Sequence, residues 1–133
     1  MVRSTFVNGT FDVLHPGHVR LLNYAKSLGG RLFVAIDSDR RVKELKGQSR
    51  PINTAVERKE MLLALKAVDE VEIFDTSEEL CMWIKQINPY IMVVGSDYKE
   101  KEVIGSEHAR HLVFFNRIHE YSTTRKIQSI IDR

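Results

Sequence analysis

Two hydrophobic patterns alternate along the chain: short apolar runs and longer segments with helical spacing. Short runs rich in β-branched and aromatic residues predict buried strands, whereas apolar residues repeating every three to four positions predict helices. The predicted strands lie at residues 3–7, 31–36, 71–74, 91–94 and 112–115, and the predicted helices at 17–28, 54–68, 77–87 and 122–130. Strands separated by helices favour parallel pairing with right-handed crossovers. The pattern therefore predicts an α/β fold with a doubly wound parallel sheet in a single domain covering residues 1–133.

The composition is that of an ordinary globular domain, with 43% hydrophobic and 29% charged residues in 133. Its apolar stretches are far shorter than the roughly 20 residues needed to cross a bilayer, and residues 1–11 show no secretory signal pattern. Cys81 is the only cysteine, so no internal disulfide can form, which fits a reducing compartment. These features predict a soluble, cytoplasmic protein without a membrane partner.

Positive charge is concentrated between residues 40 and 50. This segment holds five basic residues and one acidic residue, although the whole chain has a net charge of only +2. A local basic segment on a nearly neutral protein favours a small polyanion, such as the phosphates of a nucleotide, over a nucleic acid. A solvated helix face explains the charge equally well.

The loop after the first predicted strand carries the most specific chemical signal. Ligands on parallel sheets bind beyond the carboxyl ends of the strands, and Gly9 and Gly17 allow close approach of the backbone there. His15 and His18 are three residues apart at a helix start, where N–H groups attract phosphate and imidazoles can stabilise developing charge. Capping or surface histidines are the alternative interpretation. A two-histidine metal site is disfavoured, since no acidic or cysteine ligand stands at a supporting spacing.

The run GTFDVLHPGH resembles the cytidylyltransferase-like nucleotidyltransferases, whose mark is a GTFD stretch followed by HxGH. The resemblance implies a Rossmann-like sheet of about five strands that binds a nucleoside triphosphate with Mg²⁺. It also implies transfer of the nucleoside monophosphate to a phosphorylated alcohol, with release of pyrophosphate. By this resemblance His15 and His18 contact the triphosphate at the reacting α-phosphorus. The nucleotide site would be lined by Thr10, Phe11 and the backbone near Gly9.

The basic segment is similar to the KGxSRPxN run of the family branch that makes ADP-heptose. This similarity implies that Lys46 and Arg50 face phosphates, as an ammonium and a guanidinium can. Arg58 matches a family arginine near the nucleotide. The alternative for Arg58 is an exposed ion pair with Glu57 or Asp69.

Two further segments resemble family motifs. The segment that begins at Gly95 looks like GGDYxxxxIxGS of the ADP-heptose branch, which implies that Gly95 and Asp97 lie at the nucleotide; capping of the loop is the alternative for Asp97. The RIHEYSTT run resembles RTxGISTT of the glycerol-3-phosphate cytidylyltransferases, although Glu120 replaces the usual glycine. That motif implies phosphate binding at a helix start by Arg117, Ser122, Thr123 and Thr124.

With the resemblance, the sequence predicts a Mg²⁺-dependent nucleotidyltransferase acting on a phosphorylated sugar or polyol. ATP and heptose 1-phosphate are favoured; the alternatives are a CTP-dependent glycerol-3-phosphate cytidylyltransferase and a non-catalytic nucleotide-binding module. The family also implies a homodimer, and the ligands of the metal are not assigned. Catalysis is expected to consist of positioning and charge neutralisation. The residues predicted to be catalytic are His15, His18, Lys46 and Arg117.

Overall fold

The computed structural model describes residues 3–95, 103–116, 127, 128 and 131. Within these residues five parallel strands form one sheet in the order β3-β2-β1-β4-β5, which confirms the predicted doubly wound parallel sheet. In this part of the chain no helix is long and apolar enough to cross a membrane. The elements are β1 (Ser4–Gly9), α1 (Pro16–Leu28), β2 (Arg31–Asp37), α2 (Asp39–Lys46), α3 (Ala55–Leu63), β3 (Glu70–Phe74), α4 (Ser77–Ile87), β4 (Ile91–Gly95), a short 3₁₀ helix (Ser106–His108) and β5 (His111–Phe115).

Three elements differ from the sequence prediction. The strand β1 continues through Asn8 and Gly9, which pair with Ala35 and Ile36, so the turn begins later than the Asn-Gly pair suggests. The basic segment contains the helix α2, which was not predicted because Val42 is its only buried residue. The helix α3 ends at Leu63, earlier than predicted, whereas its capping box of Thr54 and Glu57 is confirmed. The last predicted helix lies mostly outside the described residues.

Both faces of the sheet are covered, because neighbouring side chains on a strand point in opposite directions. Val7 faces a core that includes Leu22 of α1 and Leu62 of α3. Phe6 faces a second core that includes Leu80 and Ile84 of α4. Burial on two faces explains why the central strands are nearly continuous apolar runs.

The strand order places a topological switch point between β1 and β4. The chain proceeds from β1 to β2 and β3 on one side, and then returns to β4 and β5 on the other side of β1. Val7 is paired in register with Val93, so Gly9 and Gly95 stand level with each other two residues further along. Two strand ends without side chains therefore flank the crevice in which parallel sheets bind ligands.

Candidate active site

His15 and His18 form a reciprocal cap at the start of α1. His15 is the N-cap residue, and its Nδ1 accepts a hydrogen bond from the backbone amide of Gly17 at 3.1 Å. The Nδ1 of His18 accepts one from the backbone amide of His15 at 3.3 Å. The two rings are stacked, with centroids 3.7 Å apart and an interplanar angle of 26°. The capping interpretation is thus correct for both residues, and the cap also orients the two rings together.

This cap determines which ring nitrogen can act as a donor. A neutral imidazole that accepts a hydrogen bond at Nδ1 carries its proton on Nε2, on the other side of the ring. In the neutral state each ring of the pair would therefore carry its N–H on the side away from the amide that it caps. The pair also stands at the positive end of the α1 dipole. Paired N–H donors at such a helix end suit the oxygens of a phosphate group.

Phe11 supports the histidine pair from the core side. Its ring is only 4% exposed and lies 5.1 Å from the ring of His18. A Cβ added to Gly9 would lie 3.0 Å from Cε2 of Phe11, so the glycine is required by Phe11 rather than by a ligand alone. Phe11 has a φ of 50°, a conformation unfavourable for a bulky residue by roughly 1–3 kcal/mol. The Phe11 ring thus lies in the core and contacts the ring of His18 from that side.

Asp12 joins the first loop to the basic loop. It is 1% exposed, and its carboxylate accepts hydrogen bonds from the backbone amides of Ile52 at 2.7 Å and Asn53 at 2.8 Å. The Nε of Arg50 lies 3.4 Å from the same carboxylate. No role was predicted for Asp12; the signal that could have found it is an acidic residue between two apolar neighbours in the loop that follows β1.

Arg58 is a buried support of the same two loops. Its side chain is fully covered and donates hydrogen bonds to the backbone oxygens of Thr10 and Asn53, each at 3.0 Å. A third hydrogen bond reaches Oδ1 of Asp39 at 3.0 Å. The exposed helical ion pair considered for this residue is therefore wrong. Because the guanidinium is covered, it acts on the site through the backbone that it holds.

Arg50 offers a cationic group beside the first loop. Its side chain is 12% exposed, and its Nη2 is buried without a hydrogen-bond partner in the described part of the chain. A buried donor that lacks a partner costs roughly 1–3 kcal/mol. An anionic ligand oxygen would remove that cost. Lys46, the last residue of α2, is exposed at the entrance to the same loop.

Some of the remaining predicted site residues lie in the described part of the chain and others lie outside it. Thr10 follows β1 and its hydroxyl donates to Oδ2 of Asp37 at 2.8 Å, while the amide of Gly17 is engaged by the His15 cap. Gly9 and Gly95 end the two strands at the switch point. The predicted residues that lie outside the described part of the chain are Asp97, Arg117, Ser122, Thr123 and Thr124.

The carboxylates near the histidine pair do not form a protein-only Mg²⁺ site. Asp12 is directed at two backbone amides, and Asp37 accepts from Thr10 and from Nε of Arg41 at 3.1 Å. Within the described residues no group of three metal-binding side chains lies at this loop. Mg²⁺ commonly uses one or two carboxylates together with substrate phosphates.

A parallel sheet with a helix start beside its switch point defines an α/β domain of the doubly wound class, in which phosphate groups commonly bind at that position. The chain belongs to the cytidylyltransferase-like family, whose model matches residues 6–130. This match confirms the family that the GTFD and HxGH runs predicted.

Curated relatives support the same assignment. The chain is 49% identical over 130 residues to the bifunctional protein HldE of Sulfurimonas denitrificans and 46% identical over 125 residues to that of Campylobacter fetus. These matches cover 96% and 94% of the chain but only 27% of each relative. The chain therefore corresponds to about a quarter of those longer proteins.

Solved structures agree on the fold. The lipopolysaccharide core biosynthesis protein from Thermoplasma volcanium superimposes with a TM-score of 0.74 at 22% identity, covering 89% of this chain and 99% of that one. The pantothenate synthetase from Thermus thermophilus gives a TM-score of 0.62 at 14% identity, covering 94% of this chain and 61% of that one. At these identities the comparison concerns the fold alone.

Proposed function

We propose that this domain transfers a nucleoside monophosphate from a nucleoside triphosphate, with ATP favoured, to a sugar phosphate such as heptose 1-phosphate. The observation that carries the proposal is the reciprocal cap of His15 and His18, which holds two stacked imidazoles at the positive end of α1, beside the switch point of the sheet. Membership of the cytidylyltransferase-like family supports it, since nucleotidyl transfer is the chemistry that the motif resemblance implies.

In the proposed reaction, a phosphate oxygen of the acceptor attacks the α-phosphorus in line. The new O–P bond forms as the bond from the α-phosphorus to the bridging oxygen of the β-phosphate breaks, and pyrophosphate leaves. A phosphate nucleophile is already ionised at neutral pH, so the step needs no general base. His15 and His18 donate hydrogen bonds to phosphoryl oxygens whose negative charge grows in the transition state.

The basic loop contributes charge neutralisation in this proposal. Asp12 and Arg58 hold the loop next to the histidines, and Arg50 then supplies a buried guanidinium nitrogen to the phosphates. Lys46 is suited to neutralising the leaving pyrophosphate from the exposed end of α2. Positioning of reactants together with this charge supplies the catalysis.

The choice of substrate rests on two motifs. The KGQSRPIN run resembles the ADP-heptose branch and favours ATP with a heptose phosphate. The RIHEYSTT run resembles the glycerol-3-phosphate cytidylyltransferases and favours CTP with glycerol 3-phosphate, which is the second candidate. Dependence on Mg²⁺ and assembly as a homodimer stay predictions, to be tested by metal chelation and by light scattering.

Pyrophosphate release tests the proposal directly. The purified chain is incubated with Mg²⁺ and either ATP or CTP, and with heptose 1-phosphate or glycerol 3-phosphate as acceptor. We expect turnover with one pair, and a large loss of rate in His18→Asn but not in His111→Asn. His111 is a suitable control because it is exposed at the amino end of β5, opposite the site. Tight nucleotide binding without turnover on any acceptor would instead support a non-catalytic module.

A further inference from the structure

Cys81, Glu107 and His108 bring three metal-binding side chains together away from the histidine pair. The Sγ of Cys81 lies 3.9 Å from Oε1 of Glu107, and Nε2 of His108 lies 3.5 Å from the same oxygen. All three ligand atoms are within 4.8 Å of one another. Across the described ranges this is the one place where three such side chains meet so closely.

These separations are close to those of ligands around a tetrahedral metal ion. Zinc binds thiolate sulfur at about 2.3 Å, imidazole nitrogen at about 2.0 Å and carboxylate oxygen at about 2.0–2.2 Å. Tetrahedral angles with these bond lengths place the ligand atoms roughly 3.3–3.6 Å apart. The two separations from the Glu107 oxygen, 3.9 Å and 3.5 Å, lie at or just above this range, and the third is at most 4.8 Å, so Cys81 and His108 have to approach each other for tetrahedral coordination.

The backbone already holds the three residues together. Gly105, directly before the 3₁₀ helix, has a φ of 78°, and a Cβ there would lie 2.5 Å from Cδ1 of Ile84. Ile84 is fully buried on α4, one turn after Cys81. The 3₁₀ helix is therefore pressed against α4 beside the cysteine, and no metal is needed to form the contact.

The cluster lies on the opposite side of the sheet from α1. Val103 and Ala109, which flank the 3₁₀ helix, pack on the same core as α4, whereas Leu22 of α1 belongs to the other core. The side chains of His108 and Glu107 are 28% and 66% exposed, so an ion can reach them from solvent. The cluster is thus separate from the phosphate-binding loop.

We propose that Cys81, Glu107 and His108 bind a thiolate-preferring divalent cation, Zn²⁺ in the first place, with water as the fourth ligand. A mixed sulfur, nitrogen and oxygen donor set favours Zn²⁺ over Mg²⁺ and Ca²⁺, which take oxygen ligands. As the Sγ–metal bond forms, the thiol proton passes to solvent, and His108 binds through Nε2. The bound ion ties α4 to the segment between β4 and β5.

The test uses the metal-free full chain under reducing conditions. Zn²⁺ is titrated in competition with a chromophoric chelator, and Co²⁺ serves as a spectroscopic probe. We expect one equivalent of Zn²⁺, and affinity lowered on the order of tenfold or more in Cys81→Ser and in His108→Gln. The Co²⁺ complex should show thiolate charge-transfer absorption that Cys81→Ser abolishes. The control variant His111→Gln, which removes an exposed histidine outside the cluster, should bind Zn²⁺ as the wild type does.

Three results would overturn the proposal. They are equal Zn²⁺ affinity in Cys81→Ser and the wild type, a Co²⁺ spectrum without thiolate absorption, and Zn²⁺ binding that is lost in His18→Asn but kept in Cys81→Ser. The last result would assign the metal to the first loop. None of them bears on the proposed transferase activity, which is measured separately by pyrophosphate release.

Discussion

The carboxylate of Asp12 accepts a hydrogen bond from the backbone amide of Asn53 at 2.8 Å, across 41 residues of sequence. The side-chain amide of Asn53 donates back to the backbone oxygen of Asp12 at 3.4 Å. This pair fixes the loop that carries Arg50 relative to the loop that carries His15. The cationic and imidazole groups of the candidate site are therefore placed before any ligand binds.

Replacing Asp12 tests this connection. Asp12→Ala removes the buried carboxylate that accepts from the backbone amides of Ile52 and Asn53 and stands beside Arg50, so we expect a loss of about 3 kcal/mol in the free energy of unfolding. Nucleotide affinity should fall as well, because the basic loop loses its anchor. Urea denaturation and a nucleotide titration measure the two effects. Asp12→Asn keeps one acceptor oxygen and should lose less; unchanged stability in Asp12→Ala would contradict the anchoring role.

Replacing Arg58 distinguishes structural support of the two loops from direct contact with a ligand. Arg58→Met removes three hydrogen bonds and leaves the backbone oxygens of Thr10 and Asn53 without the guanidinium, so we expect a loss of about 3 kcal/mol in the free energy of unfolding. Lys66→Met, which removes an exposed charge, should lose less than about 0.5 kcal/mol. Chemical denaturation checks both variants. Full stability with lost nucleotide binding in Arg58→Met would indicate direct contact with the ligand.

The two roles of His15 can be measured apart. Asparagine is a good N-cap, so His15→Asn should keep the stability of α1, while His15→Ala should lose about 1 kcal/mol. Both variants lack the Nε2–H donor, and we expect kcat to fall on the order of 10²–10³-fold in each. Unfolding curves and pyrophosphate release give the two readouts. A fully active His15→Asn enzyme would show that the imidazole is only a cap.

The ion pair of Asp69 and Lys26 predicts a pH dependence of stability. Burial alone raises the pKa of Asp69, but its hydrogen bonds from Lys26 Nζ at 2.6 Å and from the Leu32 amide at 2.8 Å outweigh burial, so its pKa lies below the usual value. As the pH falls, Asp69 is protonated in the unfolded chain before it is protonated in the folded one. The stabilisation that its ionised carboxylate provides is therefore fully present above the unfolded pKa of about 3.9 and is lost as the pH falls through the folded pKa.

The corresponding variant is Asp69→Asn. It should be less stable than the wild type by about 1 kcal/mol at neutral pH, and the difference should shrink toward zero at acid pH below the folded pKa. Urea denaturation across this pH range measures it. A difference in the free energy of unfolding that stays constant with pH would show that the charge of Asp69 contributes nothing to stability.

Gly105 tests the contact between the 3₁₀ helix and α4. Gly105→Ala adds a Cβ at 2.5 Å from Cδ1 of the fully buried Ile84, in addition to the cost of a left-handed conformation, so we expect a loss of about 2 kcal/mol or more in the free energy of unfolding. In the double variant Gly105→Ala/Ile84→Val the added Cβ has more room, so the two losses should add up to more than the loss of the double variant. Thermal and urea unfolding compare the three variants. Strictly additive losses would show that the contact with Ile84 is not tight.

Local sequence patterns were sufficient to predict the strands of the sheet and the helix α3, which begins after a capping residue. Apolar runs predicted the bounds of β3 and β4 to within one residue. The capping box of Thr54 and Glu57 predicted the start of α3. The helix α2 was missed because its charged residues hide the helical period and only Val42 is buried.

Motifs named residues from both loops of the candidate site, but contacts between side chains could be predicted only where the residues are close in sequence. The histidine pair stands within one turn, so its spacing was visible. The roles of Asp12 and Arg58 depend on partners 38 to 48 residues away, including Arg50, Asn53 and Thr10. No periodicity or motif encodes such distant hydrogen bonds, because only the folded chain brings the donors to the acceptors.

The His15 cap couples the integrity of the site to the fraying of one helix end. The amide of Gly17 donates to Nδ1 of His15, and the amide of His18 donates to the backbone oxygen of His15 at 3.0 Å. When this first turn opens, those amides exchange with solvent deuterium at the moment when the imidazoles lose their orientation. Amide exchange at Gly17 and His18 therefore reports the fraction of molecules in which the cap is open and the two imidazoles are no longer held together.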